Sequence, residues 1–267
     1  MADVRSSPAR SLFARAIGRL SVSRKLMLIY ALDLSAVIYV CFILINEKYI
    51  AIDFARKEVR GNAYIAALRE PLIDLARLRS GDAAATLRLT AAAAITLPAA
   101  QIRFGAGMDS AELTQRAATA MQAATAPGAG LDSVDRAMAL GQELVTRIAN
   151  QSNLILDPDL DSYYTMSLLA LRLPELLRLS HELAAVAQPE PGQPNEALRT
   201  RHLIAEGRLD AAMQALRSDH AEAYAAGGAA MRAELAGSER TLVEATNGLR
   251  RQAGMLVDLR IALASMA

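Results

Sequence analysis

The stretch LMLIYALDLSAVIYVCFILI, residues 26–45, holds twenty residues with a single charge, Asp33. As an α-helix rising about 1.5 Å per residue it reaches about 30 Å, the thickness of a bilayer's hydrocarbon core. A cleaved secretory signal has a shorter apolar region, about 7–15 residues, followed by a small-residue exit. Here the run passes directly into Asn46, Glu47, Lys48 and Tyr49. The segment therefore predicts a retained membrane span over residues 26–46. A carboxylate such as Asp33 is costly in lipid. It marks either pairing with a second helix or a depth at which water from the headgroups still reaches it.

The flanks predict an orientation. Before the span stand Arg5, Arg10, Arg15, Arg19, Arg24 and Lys25 against one acid, Asp3, whereas the residues after it mix Glu47, Lys48, Asp53, Arg56, Lys57 and Glu58. Basic excess marks the cytoplasmic side. Residues 1–25 then form a cytoplasmic arm, and residues 47–267 form one extracytoplasmic domain. Removing the arm's net +5 from the +1 of the whole leaves −4 for residues 26–267. Such a juxtamembrane cluster suits anionic headgroups and speaks against nucleic acid as a partner.

About 220 residues beyond the span suffice for a real apolar core. Cys41, the one cysteine, lies inside the span, so no disulfide braces that core and no paired-cysteine metal site exists. His181, His202 and His220 fall in separate segments and read as satisfied side chains rather than ligands. A glycine-rich phosphate loop, a nucleophile elbow and an HExxH motif are all absent. We expect no catalytic residue, metal or cofactor in this chain.

Alanine abundance and three-to-four spacing of apolar residues predict an all-α, membrane-anchored, elongated helical bundle with long first and last helices. The first helix should continue from the span to Leu78, past Gly61 and Pro71. Residues 83–105 should form a second helix with a kink near Pro98, and Asp109 or Ser110 should cap a third through Ala123. Residues 131–152 carry an inner stripe of Val134, Met138, Gly141, Leu144, Val145 and Ile148. The next helix should pack Leu160, Tyr163, Tyr164, Met166, Leu169, Leu173, Leu176 and Leu183, and a proline-rich loop at 188–194 should end it. A short helix over 195–206 and a turn at Gly207 would lead to a final helix. Its steps of four and three from Leu209 to Leu263 describe a coiled-coil seam. Gly227-Gly228 is its weak point, and its mildly apolar end points back towards the membrane.

Asp157, Asp159 and Asp161 alternate as at the start of a calcium loop, but Ser162 and Leu168 occupy the sixth and twelfth positions, where that loop needs Gly and Glu. A helix start explains them: Asp157 caps, Pro158 takes the first helical position and Asp159 sits in the positive first turn. Asn150, Asn153, Tyr163, Tyr164 and Thr165 gather around this junction. Arg147 could add a cation for an anionic ligand. These six are the candidate ligand-binding residues. The same residues equally suit a structural role, with Asn153 arranging the connection and the tyrosines closing the bundle end.

The phrase SNLILDPDLDSYYTMSLLALRLPELL, residues 152–177, resembles a stretch found in the extracytoplasmic helical sensing regions of bacterial transmembrane signal transducers. Its SNLxLDPDLDSYY part is kept in full, as is LPELL, and Ser167 stands where an acidic residue is common. EVRGNAYIAALREPLIDL, residues 58–75, is similar to the Gly-x-x-Tyr start of the same regions. The resemblance implies a stimulus-sensing input domain in the periplasm, anchored in the inner membrane and working as a homodimer, that answers a small molecule or a periplasmic partner protein. It implies an output module, a sensor histidine kinase first, a chemoreceptor or cyclic-dinucleotide synthase otherwise. No such module is legible in this chain. A helical scaffold or oligomerisation stalk is the alternative reading.

Overall fold

The computed structural model describes residues 21–78, 82–155, 159–187 and 194–264, and among them every regular element is helical. The chain divides into two compact units, residues 1–55 and 56–267. In the first, the described residues are one helical run with its apolar side chains exposed. That run belongs to helix α1, Val22–Leu78, which continues without a break into the second unit. By length and composition α1 can cross a membrane, and so can the stretch Ala83–Phe104, a third of whose apolar window is buried.

The second unit holds two apolar cores. The first gathers Tyr64, Leu68, Leu72 and Leu75 of α1 against α2 (Ala83–Ala91), α3 (Leu97–Phe104), α4 (Ala111–Ala124) and α5 (Leu131–Gln151). The α5 stripe expected from the sequence is buried at Val134, Met138, Gly141, Leu144, Val145 and Ile148. Gly61 allows α1 to lie against the end of α5, because a β-carbon there would overlap the Ser152 side chain. The two motif segments, 58–75 and 152–177, therefore meet in space. Nearby, the fully buried Tyr64 places its hydroxyl 2.8 Å from Gln101 Oε1 and 2.6 Å from Thr114 Oγ1, and burial raises its pKa. Ser110 precedes α4 as expected, but its hydroxyl donates to Gln101 at 2.8 Å instead of capping the helix.

Two π-turns share one cause. Residues Ala92–Thr96 and Leu168–Arg172 each run into a Leu-Pro pair, Leu97-Pro98 and Leu173-Pro174. Proline has no N–H to donate one turn back. The preceding leucine donates five residues back, from Leu97 to the Ala92 carbonyl and from Leu173 to that of Leu168. The expected kink at Pro98 is thus a π-turn. The second such turn shifts the register between α6 (Leu160–Ser167) and α7 (Leu173–Val186). The expected apolar face breaks there: Leu160, Leu169 and Leu173 are exposed, while Leu168 and Leu179 are buried.

The last element, α8 (Asn195–Ala264), corrects three expectations. Gly207 is helical, so no separate short helix or turn exists before Leu209. The weak point at Gly227-Gly228 is a full reversal, with Gly228 at φ 69° and ψ −156°. Residues 195–227 and 229–264 form two limbs that run antiparallel: Tyr224 donates to Glu239 at 2.8 Å near the turn, and Arg250 reaches back to Glu206 at 3.0 Å and Asp210 at 3.1 Å. Burial, then the hydrogen bond to Glu239, pushes the Tyr224 pKa up to about 12. The second limb consequently runs away from the end of this unit at which Gly61 and Thr165 lie, since Thr165 sits beside Met231 just after the turn. It does not head back towards Arg56. The second core packs Leu176, Leu179 and Leu183 of α7 against Leu209, Met213, Leu216, Ala253 and Val257 of the two limbs.

Gly61→Val is expected to lower stability by about 1–3 kcal/mol through overpacking. The double variant with Ser152→Gly should recover a large part of that loss. Thermal melts of the two variants check it, and additive losses would show that the close approach does not limit the packing.

Candidate functional site

Where the two cores meet, a half-open cavity of about 500 Å³ is enclosed by four helical segments. Asn62, Ile65, Ala66, Arg69, Leu72 and Ile73 of α1 form one wall. Leu169, from the π-turn, and Leu173, Pro174, Leu177 and Ser180 of α7 form the opposite side. Leu242, Ala245, Thr246 and Leu249 of the second α8 limb close it, with Val145 of α5 contributing from the first core. The size lies within the range of small-molecule pockets, about 300–1,000 Å³.

The π-turn that presents Leu169 is pinned at both ends. Ser167 Oγ and Arg172 Nε each donate to Asp219 Oδ2 at 2.8 Å, a carboxylate on the first α8 limb. This hydrogen bond holds the Arg172 guanidinium pKa above its ordinary value. Leu179 and Leu183 of α7 enter the second core, Leu173, Leu177 and Ser180 face the cavity, and Leu176 belongs to both.

The cavity's chemistry is that of binding. Its described lining residues include no Asp, Glu, His, Cys, Lys or Tyr, and its polar side chains are Asn62, Arg69, Ser180 and Thr246. Thr246 is buried, and its hydroxyl donates to its own helix at the Leu242 carbonyl, 2.8 Å away. Arg69 supplies the one formal charge. Its guanidinium is mostly exposed, 3.8 Å from the equally exposed carboxylate of the next residue, Glu70. Such a surface pair contributes little and yields readily to another anion.

The residues singled out from the sequence lie elsewhere. Arg147 pairs with Asp109 at 2.9 Å, and Asn150 is exposed. Asn153 has φ 66°, the left-handed conformation that turns the chain after α5. Tyr163 and Tyr164 pack edge to face at 5.1 Å, and Thr165 donates to the Asp161 carbonyl at 2.7 Å. None of these six lines the cavity. Asp157 and Pro158 lie outside the described residues. Asp159 stands just before α6 in an extended conformation without a side-chain cap bond, so the acid in the first turn is Asp161. The residues sequence reasoning missed had one legible signal, the spacing of Leu169, Leu173, Leu177 and Ser180 along one face.

His181, His202 and His220 are buried and lie near Asp135, Glu206 and the Leu216 carbonyl respectively. Among the described residues no group of three His, Cys, Asp or Glu side chains is placed to hold a metal ion. Comparison of this chain with protein-family models, with curated proteins and with solved structures finds no match.

Behind the cavity wall, buried Asp74 ties α1 to α2. Arg88 donates to it at 2.6 and 2.9 Å and Arg77 at 3.2 Å. The Arg88 hydrogen bonds, ahead of the opposing effect of burial, hold the Asp74 pKa below the usual carboxylate value. A carboxyl that titrates lower in the folded chain contributes fully above its unfolded pKa, about 4, and loses that contribution as pH falls through the folded value. Asp74→Asn should therefore melt at a lower temperature than the parent at pH 7, with the gap narrowing below about pH 4. A gap independent of pH would remove the ionic account.

Proposed function

We propose that this chain is the extracytoplasmic stimulus-sensing input region of a bacterial transmembrane signal transducer, with a sensor histidine kinase as the output it serves. The observation that carries this reading is that one unbroken helix, α1, bears both the bare apolar segment and six of the cavity's wall residues. A ligand that filled the cavity would press on α1, α7 and the second α8 limb together. Because packed helices shift in discrete small steps, that pressure favours one arrangement of α1 over another. Differential affinity for the two arrangements is what couples binding to output.

The last limb supports a homodimer. Its coiled-coil positions Leu256, Leu259 and Leu263 are 53 %, 57 % and 59 % exposed, whereas the corresponding positions of the first limb, Leu209, Met213 and Leu216, are buried. A heptad seam left exposed among the described residues fits a helix of a second copy. In this reading the span lies in the inner membrane and residues 47–267 lie in the periplasm. The stimulus is a small molecule in the cavity or a periplasmic protein that acts on the same helices.

Topology is the first test. In a Cys41→Ser background, Ala129→Cys places a thiol in an exposed loop between α4 and α5. A membrane-impermeant maleimide should label it in intact spheroplasts. Labelling that appears only after lysis would place the helical body in the cytoplasm and contradict the proposal.

A further inference from the structure

We propose that the cavity between the two cores binds an amphiphilic monocarboxylate, with its hydrocarbon body among the leucines and its carboxylate on Arg69. The inference deepens the sensing reading by naming the class of ligand, and it rests on that reading only for the biological role of binding.

The walls decide the body of the ligand. Ile65, Leu169, Leu173, Leu177, Leu242 and Leu249 surround a space of about 500 Å³. A sugar or a free amino acid placed there would leave its hydroxyls or ammonium group facing these side chains without hydrogen-bond partners, which is costly. A hydrocarbon chain or ring meets no such penalty, and its transfer from water is favourable at about 25 cal/mol per Å². Water gains little in so apolar a space, where each molecule needs several polar partners.

Arg69 decides the head. It belongs to the same helical face as Ile65, Leu72 and Ile73, one turn from each, and it is the charged group among the described lining residues. Among the described residues its guanidinium pairs with neighbouring Glu70 at 3.8 Å, and 70 % of its side chain is exposed. A guanidinium presents a planar fork that matches a carboxylate through two parallel hydrogen bonds. One such fork balances one negative charge. Asn62, two helical turns before Arg69 on the same wall, adds a polar amide to the far end of that wall.

A helix from a second copy is the competing occupant. It would be about 10 Å across with its side chains. Four helical segments already enclose the cavity, and the unpartnered heptad positions of the last limb lie beyond it, at Leu256, Leu259 and Leu263. The seam for a partner helix and the cavity are therefore successive parts of the same limb, and the enclosed part suits the small ligand.

The experiment uses the full chain in lipid nanodiscs with a diazirine-bearing decanoate as photolabel, and peptide mass spectrometry as readout. Labels are expected on the cavity leucines and should be displaced by decanoate at least tenfold more effectively than by 1-decanol. Arg69→Gln should weaken decanoate about tenfold while leaving 1-decanol unchanged, as loss of a charged hydrogen bond predicts. Ala66→Phe and Ala245→Phe, two exposed alanines on the wall, should abolish cavity labelling without a change in the melting curve. Bilayer partition of the label is common to all variants, so the comparison isolates the site. Labels confined to residues 26–45, or insensitive to both phenylalanine variants, would overturn the site. Equal potency of decanoate and 1-decanol would overturn the role of Arg69. Absence of cavity labels together with disulfide formation between Ala245→Cys chains would give the cavity to a second copy. Each of these failures leaves the topology result untouched, so the fates of the ligand class and of the sensing reading can be told apart.

Discussion

The burial of one edge of α1 governs the second unit. Tyr64, Leu68, Leu72 and Leu75 repeat at steps of four, four and three and are almost wholly excluded from solvent. Full burial of each such side chain contributes about 1.5–3 kcal/mol, so this edge fixes where α1 stands against its neighbours. It can do so only because Gly61 lets the chain approach Ser152 and Gly141 leaves room for Leu72. Once that edge is set, the adjacent face of α1, from Asn62 to Ile73, faces the gap between the two cores. The cavity is therefore a product of how α1 is docked.

A second constraint comes from Pro174. The missing N–H forces a π-turn, and the π-turn is the device that moves α7 by one residue relative to α6. Asp219 holds both ends of that turn. Without the shift, one continuous apolar stripe would run from Leu160 to Leu183 and there would be little reason for Leu169 and Leu173 to remain exposed. The packing of the second core and the opening of the cavity are two consequences of the same displaced register.

Much of this was legible in the residues, and the exceptions have definite causes. The stripe of α5 and the first-limb positions Leu209, Met213, Leu216, His220 and Ala223 are buried as their periodicity indicated. Periodicity fails where a local rule depends on neighbours. Gly207 looks like a breaker, yet a single glycine costs only about 1 kcal/mol in a helix, and buried Ala205 and Leu209 on either side outweigh it. Gly227-Gly228 looks like a bend and is a reversal, because Gly228 adopts a positive φ that other residues resist. The polar cluster near Tyr163 stood out by composition, but Arg147 turns to Asp109, a residue 38 positions away that sequence spacing does not connect with it. The cavity, by contrast, is assembled from four segments, mostly leucines and alanines, and the spacing of Leu169, Leu173, Leu177 and Ser180 marks one wall of it without showing which segments supply the others.

The proposed sensing role requires α1 to stay helical without interruption from residue 46 to the cavity wall. Hydrogen–deuterium exchange along residues 46–78 of the full chain in a bilayer tests it most directly. The account predicts slow exchange without a gap through Ala55 and Arg56, where the two units join. A fast-exchanging break at that point, with protection on both sides, would show that the wall of the cavity is uncoupled from the apolar segment and would contradict it.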